Sequence, residues 1–61
     1  MEAMMKLTNQ EIINEGTKLG QQLAGTGEVQ DRRIELNLTD AEAEVFWWAF
    51  HNERAVTYRK G

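Results

Sequence analysis

The sequence predicts a mainly α chain: two amphipathic helices, about 8–25 and 39–53, joined by a loop and a short extended segment at about 33–38. Three observations lead there. Thr8 to Glu11 (TNQE) and Thr39 to Glu42 (TDAE) both match the capping box, in which a threonine hydroxyl and a glutamate three residues on satisfy each other's orphan backbone donors. The residues after Thr8 repeat at helical spacing. After Thr39 comes VFWWAF, Val45 to Phe50, which holds both tryptophans and both phenylalanines of the chain. A helix apolar on most of its circumference must be covered on most of it. One partner helix cannot do that, so the expected assembly is a helical-hairpin homodimer.

In the first helix, Leu7 before the cap and Ile12 one turn in can form a hydrophobic staple. Winding at about 100° per residue gathers Ile12, Ile13, Gly16, Leu19, Gly20, Leu23 and Ala24 on one side. Gly16 and Gly20 form a G-x-x-x-G step on that face, which can admit either a bulky ring or a second helix backbone. Gly25 is the expected carboxyl cap.

From Glu28 to Asn37 the period changes. Ile34, Leu36 and Leu38 alternate with Arg33, Glu35 and Asn37, the two-residue repeat of a strand with one wet face. A strand needs a ladder partner. Candidates are Glu28 to Gln30, the AVTY stretch near the carboxyl end, or the same strand of a second subunit, which leaves an α+β fold with a short ribbon as the alternative. In the second helix, Asp40, Glu42 and Glu44 set negative charge at the positive end of the helix dipole. Asn52 can cap its other end, after which AVTYRK suits a short strand or continued helix.

These assignments predict a core of Leu7, Ile12, Leu19, Leu23, Phe46, Trp47 and Phe50. They turn Val45, Trp48, Ala49, Asn52 and Val56 toward a second subunit or a foreign protein.

Composition narrows the chemistry. A chain of 61 residues is one small domain, and at that size disulfides, metals or partner subunits commonly supplement the core. It has no cysteine and one histidine, which predicts neither a disulfide nor a zinc site. The net charge of -3 lacks the positive field of a nonspecific nucleic-acid binder. The longest apolar run falls far short of the roughly 20 residues that cross a bilayer, and MEAMMKLTNQ has no apolar segment of a secretory signal, so the expected setting is the cytosol. His51 is the only neutral-pH proton shuttle, there is no serine nucleophile, and Glu42 and Glu44 diverge on a helix. No enzyme and no cofactor is expected.

RRIELNLTDAEAEVF resembles the opening of ribbon-helix-helix repressors, whose paired strand reads the major groove before a capped helix. That resemblance implies a dimeric DNA-binding regulator with Arg33, Glu35 and Asn37 facing the groove, although the family needs a further long helix and carries its strand nearer the amino end. In overall character the chain, short, acidic, cysteine-free and opening MEAMMKLTNQEI, is similar to small early-region accessory proteins of lambda-type temperate bacteriophages. This resemblance implies a non-enzymatic regulator in the host cytoplasm that binds a host or phage component.

Overall fold

The computed structural model describes residues 7–60, which form three helices: α1 (Asn9–Gln21), α2 (Thr26–Leu36) and α3 (Asp40–Lys60). Mainly α is the fold class, but the two-helix hairpin and the ribbon are both overturned. Among the described residues there is no strand, and the segment expected to be extended at 33–38 is the end of a helix and its turn.

Both capping boxes form. Thr8 accepts from the Glu11 backbone at 3.2 Å while Glu11 accepts from the Thr8 backbone at 2.8 Å. Thr39 and Glu42 repeat the exchange at 3.2 and 3.0 Å. Leu7 is half-buried and packs on the cluster that contains Ile12.

α1 stops at Gln21, short of the expected residue 25. Leu23 takes a left-handed conformation (φ 56°), and the Ala24 and Leu23 N–H groups donate to the Leu19 and Gly20 carbonyls at 3.1 and 3.0 Å. This is the paired closure of a Schellman turn. α2 ends the same way around Asn37 (φ 56°), with Leu38 and Asn37 donating to Arg33 and Ile34. Gly25, expected to close α1, instead opens α2 as its N-cap.

α1 and α3 make most of the tertiary contacts, and they run parallel. Gly16 meets Phe46, Ala49 and Phe50, whereas Gly20, one turn later, meets Phe50, Glu53 and Arg54. A hairpin would be antiparallel. Parallel packing obliges the chain to return along the length of α1, roughly 20 Å for 13 residues. Eighteen extended residues would overshoot that at roughly 60 Å. Coiling most of the connection into α2 takes up the slack, and a helix satisfies its own backbone where a lone strand would lack a ladder partner. Three alternating residues could not outweigh that requirement. Ile34 is accordingly 65% exposed, not inward.

The core comprises Ile12, Leu19, Ala24, Val29, Phe46 and Phe50, with Leu36, Leu38, Val45 and Trp47 packed against it. Among the described residues no polar or charged side chain is buried. The G-x-x-x-G step admits a helix backbone, that of α3.

α2 is the least attached element. It contributes one fully buried side chain, Val29, and a polar link in which Arg32 bonds Glu15 of α1 at 3.1 Å while holding Glu35 at 2.8 Å. The hydrogen bonds that Arg32 donates to Glu35 and Glu15 raise its pKa above the ordinary value. Segments with few buried apolar contacts open first. In native-state hydrogen exchange, the α2 amides should therefore exchange ahead of those in the middle of α1 and α3. Equal protection across all three helices would contradict this order.

Candidate functional site

α3 is 21 residues long, about 31 Å. It runs seven residues beyond the expected end at 53, because Asn52 does not cap it: the Asn52 side chain donates to the Trp48 carbonyl at 2.8 Å, inside the helix. AVTYRK is continued helix.

The inward side of α3 carries Ala43, Phe46, Ala49 and Phe50, all buried. Trp47 is half-buried beside them. Its ring meets Phe46 and Phe50 edge-on at 6.5 and 5.9 Å and stacks on His51 at 5.6 Å. The adjacent Trp48 points elsewhere and is 61% exposed. At 100° per residue, Val45, Trp48, Asn52, Val56 and Arg59 fall within about 80° of one another, on the side turned from Phe46 and Phe50. Val45 is the half-buried edge of this stripe; Val56 is 40% exposed. Beyond it, Val56, Arg59 and Lys60 line a shallow open groove.

Ala49 does not belong to this surface. It is 3% exposed and faces Gly16 at the crossing of α1 and α3. The other four residues expected to face a partner, Val45, Trp48, Asn52 and Val56, share one side of α3. Of the expected core, Ile12, Leu19, Phe46 and Phe50 are buried and Leu7 and Trp47 pack at its edge. Leu23 is 44% exposed at its left-handed turn. Val29, a core residue the strand-like pattern concealed, lies seven before Leu36, with Arg32 and Arg33 between, which is helical spacing.

The residues assigned to a DNA groove are brought to no common face. Arg33 and Glu35 sit about 160° apart on α2. Arg33 bonds Asp40 at 2.9 Å, Glu35 bonds Arg32, and Asn37 forms the left-handed turn. Their arrangement ties α2 to its neighbours.

Among the described residues, no three His, Cys, Asp or Glu are grouped to hold a metal, and no helix is long and apolar enough to cross a membrane. Comparison with protein-family models, with curated proteins and with solved structures finds no match to this chain.

Proposed function

We propose that this chain is a non-enzymatic protein–protein interaction module whose working surface is the outward face of α3, and that a second copy of the chain is its first partner. The observation that carries this is Trp48, 61% exposed and aligned with Val56 on the side of the helix away from the core, with Val45 at the edge where that stripe meets the core. An indole left in water is an anchor of the kind that protein interfaces enrich and bury. The small size of the chain adds to the case, since so short a sequence buries a limited share of its own surface. Against catalysis stands His51, exposed and stacked on Trp47 with no acid or nucleophile bonded to it among the contacts described. The phage-accessory resemblance would place this module in a host cytoplasm and make a host or phage protein another occupant of the same face.

Sedimentation equilibrium across the micromolar range tests the proposal. The wild-type chain should behave as a dimer in equilibrium with monomer. Trp48→Ala should retain its helical circular dichroism and associate roughly tenfold more weakly or worse, because truncating an interface anchor costs about 2 kcal/mol or more and about 1.4 kcal/mol is tenfold. A wild-type chain that stays monomeric throughout, or a Trp48→Ala variant that dimerises unchanged, would overturn it.

A further inference from the structure

We infer that two copies of α3 pair antiparallel about Asn52, an inference that rests on the self-association proposed above. The spacing of the outward stripe carries it. Val45, Trp48, Asn52, Val56 and Arg59 are separated by 3, 4, 4 and 3 residues, so the spacing of the stripe, though not its residue types, is the same from either end. A two-fold interface is the same patch on both subunits and must be complementary to itself. Reversal about Asn52 sets Trp48 level with Val56 of the second copy, and Val45 level with the aliphatic stem of Arg59. The stripe spans about 21 Å of helix, so both ends engage at once.

Spacing alone would also permit a parallel pair, and charge decides between them. The first turn of α3 holds Asp40 and Glu42, followed by Glu44; its last turn holds Arg59 and Lys60. Parallel alignment would set Glu44 beside Glu42 of the second copy and Arg59 beside Arg59. Antiparallel alignment sets Glu44 beside Arg59 of the second copy at both ends of the interface, and it opposes the helix dipoles favourably. The groove lined by Val56, Arg59 and Lys60 then lies where Trp48, Val45 and Glu44 of the second copy arrive. Asn52, at the centre, donates one amide hydrogen to Trp48 and keeps its side-chain oxygen for the dyad. A single polar residue in an apolar seam fixes register at some cost in affinity.

The chain has no cysteine, so introduced ones report orientation directly. In the antiparallel pair, position 45 faces position 59, while the two copies of position 45 lie about 21 Å apart, beyond the roughly 7 Å that a disulfide tolerates between Cα atoms. Val45→Cys and Arg59→Cys, mixed in equal amounts under mild oxidation, should give chiefly the mixed disulfide. Like-with-like disulfides would overturn the antiparallel arrangement. So would the absence of cross-links in a sample that sedimentation shows to be dimeric; in both cases self-association itself would stand. Monomer by sedimentation would instead remove the self-association on which the inference rests.

Charge reversal gives an independent check without oxidation. Glu44→Lys should weaken the dimer roughly three- to tenfold, two exposed ion pairs being turned to repulsion. Adding Arg59→Glu to it should restore most of the loss, and failure of that rescue would count against the orientation.

Discussion

Gly16→Ala is expected to destabilise the protein by about 2 kcal/mol or more, although the same change in an unobstructed helix interior gains about 1 kcal/mol. A Cβ at position 16 would run into the Phe46 carbonyl oxygen and sit 3.0 Å from the Ala49 Cβ and 3.1 Å from the Phe50 nitrogen. Two of those three atoms are α3 backbone, which cannot swing aside as a side-chain tip would. The helices must separate, and separation loosens every contact of Ile12, Phe46 and Phe50 together. Overpacking of this kind costs about 1–3 kcal/mol even where neighbours can adjust. Gly20→Ala should behave likewise, its Cβ meeting the Phe50 oxygen, the Arg54 nitrogen and the Glu53 Cβ, each at 2.8 Å. Gly27→Ala supplies the opposite sign. Gly27 lies in the first turn of α2 with negative φ and nothing within 4 Å of a new Cβ, so alanine there should add roughly 0.5 kcal/mol or somewhat more. Thermal unfolding by circular dichroism checks all three. At about 4–8 °C per kcal/mol for a chain of this size, Gly16→Ala should lower Tm by roughly 10 °C or more while Gly27→Ala raises it. A stabilising Gly16→Ala would mean that α1 and α3 do not cross at that residue.

Phe50→Ala is expected to leave the chain largely unfolded at 37 °C. The side chain is fully buried, and its ring forms an edge contact with Trp47 at 5.9 Å. Truncating a buried phenylalanine costs about 3–5 kcal/mol, against a total of roughly 3–9 kcal/mol for 61 residues at the usual stability per residue. Phe50→Leu, which fills much of the same volume, should remain folded with a lowered midpoint in urea. The neighbouring Trp48→Ala should barely move the monomer's midpoint, because most of that ring is already in water. Were Phe50→Ala to fold as well as Phe50→Leu, the core would lie elsewhere than between α1 and α3.

What could be read from the residues follows from the range of the forces involved. Capping boxes are local, and Thr8–Glu11 and Thr39–Glu42 identify the starts of α1 and α3 within a few positions of each threonine. The different directions taken by Trp47 and Trp48 follow equally from helix geometry. The closure of α1 was harder, because a leucine occupies the left-handed position where glycine would ordinarily stand, and Gly25 drew the boundary past Gln21 to residue 25. α2 was misread for a further reason. Ile34, Leu36 and Leu38 alternate, but Val29 and Leu36 carry the inward face, with arginine stems between them where apolar residues would have revealed the helical period. The parallel course of α1 and α3 is a long-range property. It shows in the glycines only once their neighbours in space are known, which is also why Ala49, reasonably assigned to the outside, belongs to the crossing.

Among the described residues every buried side chain is hydrocarbon, so the interior offers water's hydrogen ions no group to address. The carboxylates stand instead at the rim, where Glu11 and Glu42 close the capping boxes and Glu15 and Asp40 hold Arg32 and Arg33. The packing between α1 and α3 is therefore set by shape alone, and charge acts only where helices begin and where α2 is moored.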